Sequence, residues 1–246
     1  MKYRSGALFI GLVLLFVPGS GLAEIRLVAG DTGLHCRPGP TVPEGFMCEL
    51  LAELTKRVHH SGKIELVPHA RLKAMMKSGA RQTFYLPVPR TRWNEDSCKW
   101  VIEMLHDDYV VITRAGAPTI DTFAQAGQVD RLGVLRGGEN EVIANQLGLT
   151  NLNPGPQQAA VKKLTMGRLD AWFTTWNAAR YLIKASGQDL DSIQRGRKLM
   201  DARLSLAASS DVDDAEIQKW RAAFDSMKSD GTVERAYRKY DIRPTH

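Results

Sequence analysis

The chain has 246 residues, of which 43% are hydrophobic and 24% are charged, and its formal net charge is +6. Lysine and arginine alternate with aspartate and glutamate along the helical stretches, which is typical of a solvated surface of mixed sign. This pattern lacks the basic stripe that a nucleic-acid partner would need. The length alone allows either one large core or two modest ones.

The N-terminus has the pattern of a secretory signal peptide. Lys2 and Arg4 precede the apolar run Ala7–Val17, and Gly21 to Ala23 offers small residues to a signal peptidase. The apolar run is about half as long as the roughly 20 residues of a membrane-spanning helix. We therefore expect residues 1–23 to be cleaved and the mature chain to be periplasmic, with no membrane-spanning segment.

The next part of the chain alternates strands and helices. Hydrophobic periodicity predicts strands at Ile25–Ala29, Ile64–Val67 and Thr83–Val88, and helices at Glu44–His60 and Arg71–Ser78. The order βαβαβ implies a parallel sheet.

A second alternating unit begins at the β-branched strand Tyr109–Thr113. The segments that continue the alternation are Ile120–Ala126, Leu132–Leu135, Glu141–Leu147, Gln157–Met166 and Ala171–Thr175. A further strand at Leu204–Ala208 is followed by helices at Asp213–Ser229 and Val233–Tyr240.

The two units define two predicted lobes. If the chain crosses between them at Tyr109–Thr113 and again at Leu204–Ala208, the second unit is an insertion within the first. Lobe 1 then comprises residues 24–111 and 204–246, and lobe 2 comprises residues 112–203. Two crossing strands form a hinge, and the cleft between the lobes is the natural ligand site.

The chain has three cysteines, Cys36, Cys48 and Cys98, and their spacing is not that of a metal site. An oxidising compartment permits one disulfide. We favour Cys36–Cys48, because these residues flank the turn Arg37 to Pro40 and a bridge would fix that loop. Cys98 could replace either partner, and three buried thiols are the remaining alternative.

Four segments carry a family resemblance. They are Pro68 to Arg71, Arg90 to Arg92 ahead of Cys98 to Val101, Gly133 to Gly138, and Gly167 to Ala171. In order and spacing they resemble the periplasmic solute-binding proteins of polar-amino-acid (family 3) ABC transporters, over essentially the whole mature chain. The resemblance implies a two-lobed α/β fold, each lobe a mostly parallel sheet flanked by helices, with a ligand cleft between the lobes.

The resemblance also implies contacts to a ligand carboxylate. Arg92 is the expected anchor, and Arg90 is the alternative because the loop is two residues longer ahead of Trp100. Either arginine could instead be an exposed loop residue. Gly137 and Gly138 are expected to offer backbone amides to the same group.

Three positions depart from the family's pattern. Gly138 and Glu139 replace small hydroxyl residues, and the Glu139 carboxylate would repel a ligand carboxylate unless it turns outward or meets a cation. Thr175 falls where amino-acid binders carry an acid, and a hydroxyl cannot neutralise an ammonium group. These departures argue against a standard α-amino acid as the ligand.

Four further residues are candidates for the cleft. Asp31 is a candidate acid, although it is equally typical of a turn. Trp176 is the preferred aromatic platform for a ligand. His35 lies in a loop where an aromatic residue often stacks on the ligand. His69 replaces the more common tryptophan of its motif, and the sequence leaves open whether it reaches the cleft.

The predicted function is capture of a small polar solute, amino-acid-like or another carboxylate, for an ABC-type importer with an inner-membrane permease. We expect a monomer with no cofactor, metal or catalytic residue. A dehydratase-like enzyme using Glu139, His35 and His69 is one alternative, although no hydrolase, metalloprotease or nucleotide-binding motif is present. The other is an accessory protein with a vestigial cleft that binds a partner protein.

Overall fold

A computed structural model describes residues 25–245, so the predicted signal peptide lies outside the described residues. Nine strands form one continuous sheet in the order β2-β1-β3-β9-β4-β7-β5-β6, with β8 paired to β4. Within residues 25–245, every helix is too short or too polar to cross a membrane.

The strands have these bounds: β1 Arg26–Asp31, β2 Ile64–Pro68, β3 Thr83–Arg90, β4 Lys99–Arg114, β5 Leu132–Leu135, β6 Leu152–Gly155, β7 Ala171–Thr175, β8 Ile193–Arg195 and β9 Met200–Ala208. The helices have these bounds: α1 Phe46–Arg57, α2 His69–Lys77, α3 Phe123–Ala126, α4 Glu139–Gln146, α5 Gln157–Thr165, α6 Trp176–Ala185, α7 Asp214–Ser229 and α8 Thr232–Lys239.

Both lobes contain the parallel pairing that the alternation predicted. In lobe 1, β1 pairs in parallel with β2 and β3, and in lobe 2, β5 pairs in parallel with β6 and β7. Each of these strands leads into a loop or helix at the same edge of its sheet. The carboxyl ends of the strands therefore meet between the lobes, where ligands bind in open α/β sheets.

Two long antiparallel strands connect the lobes. β4 pairs with β9 from Lys99 to Tyr109, and with β7 from Tyr109 to Ile112. The partner of β4 thus changes at Tyr109, close to the first predicted crossing. The lobe boundaries at residues 111 and 204 stay a prediction.

Each lobe has its own apolar core. In lobe 1, Trp220 packs edge to face on Phe84 at 4.9 Å between ring centroids, and both side chains are fully buried. In lobe 2, Trp172 is fully buried and packs with Leu164 and Ile183, so its role is core packing rather than ligand contact.

The loop after β1 is fixed by a disulfide. The structure joins Cys36 to Cys48 across 12 residues, which ties this loop to the first turn of α1. Cys98 has a free, half-buried thiol.

Three elements were missing from the sequence prediction: the helix α6 and the strands β6 and β8. The helix α6 begins at Trp176, directly after the run Thr174 to Thr175, and β-branched and aromatic residues there favour a longer strand. The strand β6 contains Pro154 at the sheet edge, and proline within a run argues against a strand.

Candidate functional site: a cavity between the lobes

Both lobes line one small cavity at the carboxyl edge of the sheet. Its volume is about 40 Å³, enough for roughly two or three water molecules or a few heavy atoms of a solute. The polar residues that line it are Thr32, His35, His69, Tyr109, Glu139, Asn140, Gln157, Thr174 and Thr175. Leu135, Leu204 and two prolines supply the apolar part of the wall.

The strand ends explain why these side chains meet. Thr32 and His35 follow β1, and His69 opens α2 directly after β2. In lobe 2, Glu139 opens α4 after β5, and Gln157 opens α5 after β6. The same strand-to-helix geometry on both sides brings the five polar side chains to one interlobe space.

The lobe 1 side of the cavity contains two buried histidines. His35 Nδ1 lies 3.1 Å from Thr32 Oγ1, and among the described residues its Nε2 has no partner. The buried Nδ1 of His69 is also unpaired within residues 25–245. Burial lowers the pKa of His35 to about 4 and that of His69 to about 3, so both rings are neutral at pH 7.

Close packing fixes the ring of His69. A methyl group added at Gly30 would lie 2.5 Å from His69 Nδ1, so only glycine lets the ring approach the β1 backbone. His69 Nδ1 therefore faces the Cα atom of Gly30, and the ring itself forms part of the cavity wall.

Glu139 joins the two lobes. Its side chain is 1% exposed; Oε2 accepts from Lys73 Nζ at 2.8 Å, and Oε1 accepts from the Thr91 hydroxyl at 2.9 Å. Both donors belong to lobe 1. Glu139 is also the first residue of α4, where the helix dipole favours a negative charge. The carboxylate is therefore buried but fully compensated.

Two further contacts hold the lobes together. Gln158 Nε2 donates to Asp31 Oδ1 at 2.9 Å. Gly137 has a φ of 71°, and a methyl group added there would lie 2.6 Å from the Cα atom of Ala70 in lobe 1. The lobes are thus in direct contact, and the structure represents a closed conformation.

The lobe 2 side combines paired and unpaired polar groups. Gln157 Nε2 donates to Thr174 Oγ1 at 2.5 Å. The buried Oγ1 of Thr175 makes no hydrogen bond of good geometry within residues 25–245, although it lies close enough to the Asp107 carboxylate to lower its pKa in part. Behind Thr175, the carboxylate of Asp107 accepts from the backbone amide of Asn177 at 3.1 Å. Burial raises the pKa of Asp107 to about 6.

Three of the predicted site residues, His35, Glu139 and Thr175, line the cavity, whereas Asp31 lines a neighbouring interlobe pocket of about 410 Å³ that shares His69 and Leu135 with it. The predicted backbone donors are already engaged. Gly137 N donates to Glu141 Oε2 at 2.5 Å, and Gly138 N donates to the carbonyl of Leu135 at 2.8 Å.

The structure does not bring the predicted arginines to the cavity. Arg92 is exposed and stacks on Trp93, with its guanidinium carbon 4.4 Å from the ring centroid. Arg90 pairs with Glu95 and lies over Trp100. The loop that carries them is held by Asn94, whose Oδ1 accepts from Thr91 N at 2.8 Å and whose Nδ2 donates to the Pro89 carbonyl at 2.7 Å. This turn directs the arginines away from the cleft.

Trp176 also lies outside the cavity. It is partly buried against the lobe 2 core, and the guanidinium carbon of Arg195 lies 4.9 Å from its ring centroid. A predicted aromatic platform is thus used for packing in this conformation.

Sequence reasoning missed Lys73, Thr91 and Gln157. Lys73 lies one helical turn after His69, so the i, i+4 spacing places both residues on the face of α2 toward the cleft. That spacing was the available signal for Lys73. The other two residues carry no such pattern.

No protein-family model and no curated protein matches the chain. Solved structures match it at low identity. The sensor domain of a histidine kinase with similarity to periplasmic binding proteins has a TM-score of 0.75 and 16% identity, over 88% of this chain and 96% of that chain.

Two further solved structures are described as binding proteins. A substrate-binding protein of an ABC uptake transporter from Streptococcus pneumoniae, with bound histidine, has a TM-score of 0.73 and 15% identity, over 90% of this chain and 94% of that chain. An ancestral amino-acid-binding protein, a precursor of cyclohexadienyl dehydratase, has a TM-score of 0.69 and 18% identity, over 88% and 94%. The chain therefore has the two-lobed fold of periplasmic binding proteins, which confirms the predicted fold class.

Proposed function

We propose that this protein is a periplasmic binding protein that encloses a small polar solute in the interlobe cavity. One observation carries the proposal. Within residues 25–245, His35 of lobe 1 and Thr175 of lobe 2 line the same cavity, and each leaves a buried polar atom unpaired.

A buried polar group without a partner costs about 1–3 kcal/mol. A solute that hydrogen-bonds to His35 Nε2 and Thr175 Oγ1 would remove that cost in both lobes at once. Such bridging contacts exist only when the lobes are closed, so the solute would favour closure. This is the thermodynamic requirement for a clamp.

The wider context supports the same function. The N-terminal signal pattern fits export, and two of the similar structures are described as an amino-acid-binding protein and an ABC-transporter binding protein. We therefore extend the proposal to delivery of the solute to an inner-membrane permease by a monomeric binding protein. The Glu139 carboxylate is held by Lys73 and Thr91, which suits a structural role better than acid–base catalysis.

A partner-binding or sensory role is the second candidate. Glu139 already joins the lobes through two hydrogen bonds, and the enclosed volume of about 40 Å³ is small for a solute site. A clamp that its own side chain closes could present a fixed surface to a partner protein. The similarity to a histidine kinase sensor domain fits this role as well.

A thermal-shift screen of the purified mature protein distinguishes the two candidates. It uses amino acids, dicarboxylates, polyamines, sugars and small uncharged amides and polyols. A bound solute raises the melting temperature in proportion to the logarithm of its concentration above the Kd. A dose-dependent rise supports the solute clamp, whereas no rise with any class favours the partner-binding role.

A pair of matched variants locates the site. Thr175→Val removes the unpaired hydroxyl in the cavity, and Thr113→Val removes a buried, unpaired hydroxyl on β4 that does not line the cavity. We expect Thr175→Val to weaken solute binding about tenfold, the value of one hydrogen bond, and Thr113→Val to leave it unchanged. Equal solute responses in the two variants would place the binding site elsewhere.

A further inference from the structure

The charges around the interlobe cavity define the class of solute it can hold. Resting on the proposed function, we propose that the solute is uncharged and small, because Glu139 takes up the groups that would otherwise hold a solute carboxylate. Four features of the cavity favour such a solute: its cation and a backbone amide are already paired, its unpaired groups are neutral, and its volume is small.

The lysine that reaches the cavity wall through Glu139 is already neutralised. Lys73 Nζ lies 2.8 Å from Glu139 Oε2, and no lysine or arginine from the described part of the chain lines the cavity itself. The Thr91 hydroxyl also donates to Glu139. A solute carboxylate would therefore have to compete with the Glu139 carboxylate for Lys73 and Thr91.

The helix end that could hold an anion is engaged in the same way. Glu139 is the first residue of α4 and has its own negative charge at that position. The preceding Gly137 amide donates to Glu141 Oε2 at 2.5 Å. A second carboxylate would face Glu139 in a buried space, where repulsion between like charges is much stronger than in water.

A cationic solute is no better accommodated. The charge of Glu139 is balanced by Lys73, and the flanking imidazoles of His35 and His69 are neutral at pH 7. A buried cation needs a counter-charge to offset the loss of its hydration. The carboxylate of Asp107 lies behind the cavity wall rather than in it, and its oxygens accept from the backbone amides of Asp108 and Asn177.

The groups left for a solute are neutral. His35 Nε2 can donate or accept according to its tautomer, and Thr175 Oγ1 can do both. A volume of about 40 Å³ admits only a few heavy atoms. Small amides, ureas and polyols combine neutral charge, hydrogen-bonding capacity and this size.

Matched neutral and anionic compounds test the proposal on the unmodified protein. The pairs are acetamide with acetate, propionamide with propionate, and lactamide with lactate, each titrated calorimetrically at pH 7. We expect the amide to bind at least about tenfold more tightly than the carboxylate in every pair that binds. A carboxylate that binds as well as its amide overturns the inference while leaving the solute clamp intact.

A substitution at Glu139 should then change the class of solute that the cavity prefers. Glu139→Thr removes the internal carboxylate and frees Lys73 and Thr91, so acetate should gain at least about tenfold in affinity relative to acetamide. Glu234→Thr, the same exchange on the exposed face of α8, is the control and should keep the wild-type ratio. An unchanged ratio in folded Glu139→Thr contradicts the inference.

The remaining outcomes are also decisive. If Glu139→Thr does not fold, the three pairs on the wild-type protein decide the question alone. If none of the six compounds binds, the solute clamp and its assigned class both lose their support, which differs from the result in which a carboxylate wins.

Discussion

The two sides of the interlobe cavity satisfy their polar groups differently. On the side of Glu139, two charged groups and a hydroxyl are fully paired with one another across the lobes. In the part of the cavity lined by His35 and Thr175, which lie in different lobes, neutral polar atoms are buried and unpaired within residues 25–245. The comparison teaches that charge in this cleft serves closure, and that neutral hydrogen-bonding groups are left for a ligand.

The largest expected effect concerns the charged side. Lys73→Met leaves the Glu139 carboxylate, 1% exposed, without its cation. Removing one partner of a buried pair costs about 3 kcal/mol or more in the free energy of unfolding. Urea denaturation should show this loss, and Lys73→Met combined with Glu139→Gln should recover most of it. Lys77→Met, at an exposed position one turn later, serves as the control; equal losses at both positions would contradict the account.

The neutral side predicts a loss of stability in acid. The pKa values of His35 and His69 are lowered to about 4 and about 3 from 6.5. Below pH 6.5 the unfolded chain therefore binds two protons that the folded protein excludes, and stability falls as pH falls. The pKa of Asp107 is raised to about 6 from 3.8, so between these values the folded protein binds an extra proton and offsets one histidine.

Between pH 6 and pH 4 the unfolded chain therefore binds a net one proton more than the folded protein. The free energy of unfolding should fall by about 1.4 kcal/mol for each unit by which the pH is lowered. Urea denaturation over this range measures the slope. His69→Gln should reduce this slope to near zero, because the proton that the unfolded chain gains at His35 is then matched by the proton that the folded protein gains at Asp107. His59→Gln, at an exposed position, should keep the wild-type slope. A wild-type slope of zero would show that the cavity histidines are not excluded from protonation.

Two glycine substitutions should distinguish an effect on lobe closure from an effect on folding stability. Gly137→Ala and Gly148→Ala both place alanine at positive φ, 71° and 76°, at a cost of about 1 kcal/mol each. Only the first collides with Ala70 across the lobes, since nothing lies within 4 Å of a methyl group at Gly148. Small-angle X-ray scattering should show a larger radius of gyration for Gly137→Ala alone. The same radius in both variants would show that this contact does not limit closure.

The smallest expected effect is at Arg92. Its guanidinium stacks on Trp93 outside the cavity, so Arg92→Ala should leave the affinity for any solute of the clamp unchanged within about twofold. Titration of the variant with the solute found for the wild type measures this. A loss of binding would restore the sequence-based assignment of Arg92 as a ligand anchor.

The sequence predicted the fold better than the site. Alternating periodicity located β1 to β3, β5 and β7 because each strand is a compact apolar run, and the four motifs supplied the two-lobed arrangement. The family resemblance also suggested His35, Glu139 and Thr175, and these three residues line the cavity. Thr175 ends β7, and His35 and Glu139 each lie four positions beyond a strand end, where topology fixes the chain at the edge of the sheet.

The loop arginines were beyond such reasoning. The direction of Arg92 depends on the two hydrogen bonds that Asn94 makes to the backbone of Thr91 and Pro89, and a motif match does not contain that geometry. The pairing of Glu139 with Lys73 joins residues 66 positions apart. The sequence indicated that Glu139 needs a cation nearby, but it did not identify which lysine or arginine supplies it.

The most direct test of the central claim is a crystal structure of the mature protein grown with acetamide, the smallest of the neutral probes. We expect electron density for the amide between the lobes, within hydrogen-bonding distance of His35 Nε2 and Thr175 Oγ1, with the Lys73–Glu139 pair intact. Acetamide bound outside this cavity, or a cavity that remains filled only by protein side chains and water at saturating acetamide, would contradict it.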